Sequence, residues 1–197
     1  MENDPRVQRT KNMLASALIE LAQSKSLLKL TVRELTAKAG INRATFYRHY
    51  GSVSEFVDSL IDDLLDSLVA AHQLKSGSNI DERTYYRSWL QFAQENSELF
   101  QALLSANGAP EFEQRLVQNG VDAWSYILRP ARVKDLDETT AAYIATYVTS
   151  AHVGVLRHWL NGGCSESLDY MCALLYRMTV QGCLTASGLS ATNELPY

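Results

Sequence analysis

Two capping boxes, Thr31-Val-Arg-Glu34 and Ser52-Val-Ser-Glu55, frame the stretch that most limits what this chain can fold into. In such a box the hydroxyl residue caps a helix start while the glutamate reaches back to the cap's own N–H, so each box marks a helix N-terminus. Gly40 and Gly51 mark stops, because glycine enters the left-handed region at little cost. Asn42 caps a short helix between them, running to about Tyr50. The segment therefore reads helix, turn, short helix, turn, long helix.

Helical periodicity continues on both sides. Pro5 after Asp4 suits a first helical position, and Val7, Leu14, Leu18 and Leu21 form a stripe that fades near Ser24. The second helix is expected to bury Val32, Leu35 and Ala39. Phe56, Val57, Leu60, Ile61, Leu64, Leu65 and Leu68 line one side of a long fourth helix, with Asp58, Asp62, Asp63 and Asp66 on the other. That helix should end near Gly77, in a polar loop over 75–79. Further helices are expected over about 81–94, 97–105, 109–128, 138–160 and 167–186, separated by Pro130, the charged run 132–137 and Gly162-Gly163. No strand-like alternation of useful length occurs. The fold class is all-α: an N-terminal three-helix domain with a helix-turn-helix, joined by helix 4 to a larger helical domain. The boundary falls at the start of helix 4, giving 1–52 and 53–197.

Charge is divided unevenly along the chain. The net charge is −4, yet residues 1–50 hold nine Lys/Arg against four acids, a balance of +5, which leaves −9 for the rest. A basic first part on an acidic body suits a protein that offers only that part to a polyanion. No apolar run is long enough to cross a membrane and the N-terminus has no signal-peptide core, so no membrane role is expected and the location is read as cytoplasmic. Cys164, Cys172 and Cys183 form no CxxC pair and read as small buried hydrophobes. His152 and His158 do not share a helix face, so no metal site is expected, and no cofactor motif is present. No nucleophile–base set, carboxylate pair or Gly-rich phosphate loop appears, which argues against an enzyme.

The short helix carries the chemistry. Phe46 and Tyr50 share one side and can pack, with Ile41 and Leu35, on the first two helices. The other side centres on Ala44 and Arg48, flanked by Thr45, Tyr47 and His49, with Arg43 at the N-terminal tip beside Asn42. A recognition helix needs this division, one side for its scaffold and one for the major groove. Arg43 and Arg48 suit bidentate contacts to guanine, or a phosphate; Ala44 admits a thymine methyl. Thr45 and Tyr47 suit phosphate oxygens, and Arg33 reaches a base or the backbone. The helix starts at Thr31 and Ser52 offer N–H groups to phosphates.

These residues resemble the DNA-binding domain of the TetR/AcrR family of bacterial transcriptional regulators. The likeness rests on Thr31, Ala37-Lys-Ala-Gly-Ile41, Thr45-Phe-Tyr47, Tyr50, Ser52 and Glu55. One position departs: Val53 stands where the family usually has a phosphate-binding lysine. The resemblance implies a homodimer on double-stranded operator DNA, with the last two helices of each subunit forming a four-helix bundle. Tyr147, Ala151, Gly154, Val155, Leu168, Cys172, Leu175 and Thr179 are the interface candidates. It also implies a pocket for a small-molecule effector, with Tyr85, Tyr86, Trp89, Phe92, Phe100, Leu103, Trp124 and Tyr143 as candidates. The expected function is a repressor released by its effector. A fainter likeness, through Phe-x-x-Leu-Leu at 100–104 and Gly-Val-Leu-x-x-Trp-Leu-x-Gly-Gly at 154–163, is to a subgroup that includes regulators of dihydroxyacetone kinase operons. It implies the alternative of an activator whose body takes a protein partner.

Overall fold

Nine α-helices and one 3-10 turn make up the regular structure of the residues that the computed structural model describes, 5–75, 82–128 and 136–182, with backbone alone over 72–75 and 82–85. In chain order they are α1 (Pro5–Ala22), a 3-10 turn (Leu27–Lys29), α2 (Val32–Ala39), α3 (Arg43–Tyr47), α4 (Val53–Lys75), α5 (Glu82–Glu95), α6 (Ser97–Leu104), α7 (Pro110–Leu128), α8 (Glu138–Asn161) and α9 (Leu168–Val180). The helices form two compact units. One comprises the chain as far as Ser67 together with Asn96–Asn119; the other comprises Leu68–Glu95 and the chain from Gly120.

The first unit holds the helix-turn-helix. Leu14 and Leu18 of α1, Leu35 of α2, Phe46 of α3, Phe56 and Ile61 of α4, Phe100 and Leu103 of α6 and Phe112 of α7 are all wholly or almost wholly buried. Burying one such side chain contributes about 1.5–3 kcal/mol, so this core rather than helix propensity holds the short helices. Lys11 bridges α1 to α4, donating to Ser59 Oγ at 3.0 Å and pairing with Asp63, while Arg115 of α7 pairs with Asp62.

Several local expectations change here. Thr36, not Val32 or Ala39, joins Leu35 in the buried set of α2. Its hydroxyl donates to Val32 O at 2.7 Å, so the side chain enters the core with its polar group satisfied. The α1 stripe gains Ala17 and Ala22, and Leu21 and Val7 are only half-buried. The chain beyond Ser24 does not merely fade: its 3-10 turn sends Leu27 and Leu30 into the core. Helix α3 stops at Tyr47 instead of continuing to Tyr50. The N–H groups of His49 and Tyr50 both return to Phe46 O, which tightens the turn and swings Tyr50 to a ring centroid 5.0 Å from that of Phe56.

The second unit is built on α8, whose Ala145, Val148, Val153, Leu156, Trp159 and Leu160 are buried. Trp159 donates from its indole N–H to Glu166 O at 3.1 Å, so this large ring is buried with its polar atom satisfied. Helix α7 approaches α8 closely, since a Cβ at Gly120 would lie 2.3 Å from Thr149 Cγ2. Helix α9 packs on α5, and Arg87 pairs with Asp169 across that contact. Helix α9 ends at Val180, short of the expected 186, with Gly182 at φ 86° just beyond. The expected cap at Asp4, the loop near Gly77, the break at Pro130, Cys183 and the stretch to 186 lie outside the described residues.

Candidate nucleic-acid interface

Three caps set the geometry of the helix-turn-helix. Thr31 Oγ1 accepts the Glu34 N–H at 3.3 Å and donates to Glu34 Oε2 at 2.7 Å, while that carboxylate accepts the Thr31 N–H at 3.0 Å. Lys25 donates to the other carboxylate oxygen. Lys25 and Thr31 together hold the Glu34 carboxyl well below its usual range, at about 2, so it stays ionised and paired. Gly40 closes α2 in the left-handed conformation at φ 67°. Asn42 Oδ1 accepts the Ala44 N–H at 2.8 Å. At the third cap, Ser52 Oγ accepts the Glu55 N–H and Glu55 returns to the Gly51 N–H. The side-chain oxygens of Thr31, Asn42 and Ser52 are thus occupied in capping. What these three positions present outward is the backbone of a helix start.

The exposed face of α3 consists of Arg43, Ala44, Tyr47 and, as its C-cap, Arg48, with Asn42 exposed beside it. Thr45 and His49 are half-buried on its flanks. Phe46 is 0% exposed and packs edge-on to Phe56 and against Tyr50, which fixes the rotation of the helix about its axis. Among the described residues Lys11, Lys25 and Lys38 are in ion pairs, whereas Arg9, Lys29, Arg33, Arg43 and Arg48 are in none. These five side chains lie on α1, the 3-10 turn, α2, α3 and the C-cap of α3. Val53 is only 7% exposed and belongs to the core at the start of α4. The family resemblance implies a surface contact at this position; in the structure it points inward and valine fills it.

The remaining expected site residues divide by unit. Phe100 and Leu103, expected in an effector pocket, are core residues of the first unit, with the Phe100 ring 5.4 Å from that of Phe112. Tyr143 is 75% exposed on the outer side of α8 and lines no interior. Tyr85 has its backbone in α5, and its side chain lies outside the described residues. Phe92 is half-buried on α5. Tyr86, Trp89 and Trp124 do converge, and they converge on His152, with ring centroids 5.4, 6.0 and 6.2 Å from the imidazole. No local pattern in the sequence marks His152, because its neighbours come from α5, α7 and α9.

His152 Nε2 lies 2.9 Å from Thr179 Oγ1, whose own proton goes to Leu175 O, so the imidazole is the donor in this pair. Burial pushes the His152 pKa down to about 4. Between that value and its ordinary 6.5, the unfolded chain binds a proton that the folded chain does not. The stability contributed by neutral His152 is complete above 6.5 and is lost as pH falls through about 4. The loss is on the order of 3 kcal/mol. Thermal melts across this window should show a falling Tm for the wild type and a flatter profile for His152→Gln. Parallel profiles would mean that His152 titrates normally.

The interface candidates also separate. Tyr147 (67% exposed), Ala151 and Gly154 lie on the outer face of α8, with Val155 half-buried beside them. Cys172 and Leu175 are buried within the protomer, at 6% and 0% exposure, because the apolar side of α9 is spent on α5. Thr179 bonds inward to His152, and Leu168 is half-buried. The outer face of α9 carries Tyr170, Ala173 and Val180 instead. Among the described residues no cluster of His, Cys, Asp or Glu is arranged to hold a metal ion, and no helix is long and apolar enough to cross a membrane.

Comparison with known proteins agrees with this geometry. Residues 14–60 match the pattern described as bacterial regulatory proteins of the tetR family, and residues 83–181 match a transcriptional regulator C-terminal region of the same family. The HTH-type transcriptional regulator YxbF of Bacillus subtilis is 34% identical over 73 residues, 34% of this chain and 19% of that protein. The nucleoid occlusion factor SlmA of Salmonella paratyphi A is 32% identical over 79 residues, 40% of each chain, so both alignments span less than half of the relative. Among solved structures the dihydroxyacetone kinase operon activator DhaS matches with a TM-score of 0.57 and 15% identity, over 92% of this chain and 98% of that one, a likeness of fold. The helix-turn-helix and the helical body each match a pattern of one family, and the chain belongs to the TetR family of bacterial transcriptional regulators, a DNA-binding transcription factor and not an enzyme.

Proposed function

We propose that the protein is a homodimeric repressor that reads a palindromic operator in double-stranded DNA through α3 and is released by a small-molecule effector. The observation that carries this reading is α3 itself, with Arg43, Ala44, Tyr47 and Arg48 exposed on a helix anchored by buried Phe46. Arg43 and Arg48 take guanine edges or phosphates, Ala44 a thymine methyl, and Arg33, Thr45, Tyr47 and His49 the sugar-phosphate backbone. Thr31, Asn42 and Ser52 contribute the helix starts that they cap. In functional terms 1–52 bind DNA and 53–197 serve dimerisation and the effector, in a protein that works in the cytoplasm.

The outer faces of α8 and α9 support a two-fold pairing through Tyr147, Ala151, Gly154 and Tyr170. The rings around neutral His152 support an effector that is small, uncharged and apolar or aromatic. The likeness to DhaS, described as an operon activator, favours a second reading in which the body takes a protein partner and the protein activates.

Footprinting on the DNA between its gene and the neighbouring ones tests the reading. Two protected half-sites ~34–36 Å apart, or a multiple of that, are expected, and deletion of the gene should raise transcription of its target. A fall in transcription would select the activator reading, and the absence of any footprint at low salt would sink both.

A further inference from the structure

We propose that Asn107 is a positioning residue for DNA binding, holding the link between α1 and α2 from far along the chain. Asn107 lies in the corner between α6 and α7, within the compact unit that holds the helix-turn-helix. Its main-chain oxygen accepts the Leu27 N–H at 2.7 Å. Its side-chain Nδ2 donates to Ala22 O at 3.2 Å. Ala22 ends α1, where carbonyls lack partners within the helix. Leu27 opens the 3-10 turn, whose N-cap Ser26 makes no side-chain capping bond. One residue therefore holds the link both where it leaves α1 and midway, at the start of the 3-10 turn. Leu30 is buried immediately after it, and Thr31 then caps α2. Where α2 begins, and with it the set of α3, depends on where Asn107 holds the link.

The corner is stiff enough for that task. The Gly108 N–H donates to Ser105 O at 2.9 Å, the Ala109 N–H to Leu103 O at 2.9 Å, and Ser105 Oγ to Ala102 O at 3.0 Å. A Cβ at Gly108 would lie 2.1 Å from Leu103 O, so only glycine lets the turn close this tightly. Leu103, Leu104, Ala109 and Phe112 bury the apolar side of the corner. Asn107 is thereby fixed from beneath and presented to the link.

Positioning differs from stability in what it changes. Bidentate contacts to base edges need correct placement, whereas long cationic side chains reach phosphates from a range of positions. Loss of the Asn107 clamp should weaken specific binding and spare non-specific binding. The inference rests on DNA binding alone, and it stands whether the protein represses or activates.

The test compares full-length wild type with Asn107→Ala and Asn107→Asp. The aspartate keeps the size but cannot donate, and it sets a negative charge against Ala22 O. The probes are the tightest duplex that wild-type protein selects from a random-sequence library, and poly(dI-dC). About fivefold or greater loss is expected on the selected duplex, with little change on poly(dI-dC), and the aspartate should lose at least as much as the alanine. An unchanged ratio between the two probes in folded variants overturns the proposal. Amide exchange in the unaltered protein probes the same contact. The Leu27 N–H should be protected on the scale of core α1 amides such as Leu18, and exchange at the rate of a free amide would also overturn it.

Discussion

Arg48→Ala is expected to lower operator affinity by about 30-fold to 10⁴-fold while leaving the protomer folded and the proposed dimer intact. A bidentate arginine–guanine contact discriminates by about 1–3 kcal/mol, and the proposed dimer carries two copies, so about 2–6 kcal/mol is at stake. Arg48 is exposed, forms no ion pair among the described residues, and acts as C-cap through its backbone, so alanine removes the reach without disturbing the helix. Fluorescence anisotropy on the footprinted duplex measures the change. If Arg48 holds a phosphate instead, the loss should be smaller and uniform across sequences, and the salt slope should fall by ~1 per site. Wild-type affinity for the alanine variant would remove α3 from the interface.

Gly154→Arg is expected to convert the proposed dimer to monomer at micromolar concentration and to weaken operator binding with it. Within the protomer a Cβ at Gly154 meets nothing within 4 Å. The residue is exposed on α8 between Ala151 and Val155. A side chain there has room in the isolated protomer, and replacing a helical glycine removes a backbone penalty of about 1 kcal/mol. Only a second copy would feel the change, and through two-fold symmetry it would feel it twice, as two facing cations. Sedimentation equilibrium reads the assembly, and a thermal melt reads the protomer. A dimer that survives unchanged would move the pairing surface away from this face of α8.

The capped segment was legible because its signals are local. Thr31, Gly40, Asn42 and Ser52 each state a backbone geometry within a few residues, and the structure has those caps where the sequence places them. Partnership was not legible. Periodicity says that Phe100, Tyr143, Cys172 and Leu175 lie on rich faces, but not what each face meets; one tyrosine stands in solvent and the other three fill interiors. Val53 shows the same limit from the other side, since a family habit suggests a surface role and packing assigns a core one. Thr36 hides because its own helix satisfies its hydroxyl, and His152 because its companions arrive from three other helices.

The first compact unit closes only when Asn96–Asn119 is added to the opening helices. Phe100, Leu103 and Phe112 supply part of the interior on which Leu14, Leu18 and Phe56 rest. A chimera that borrows only the first 67 residues would thus carry the DNA-reading surface and leave behind a portion of its own foundation. For this chain the transplantable piece is discontinuous. Exchange of operator specificity between relatives has to move two segments together, or confine itself to the exposed side chains of α3.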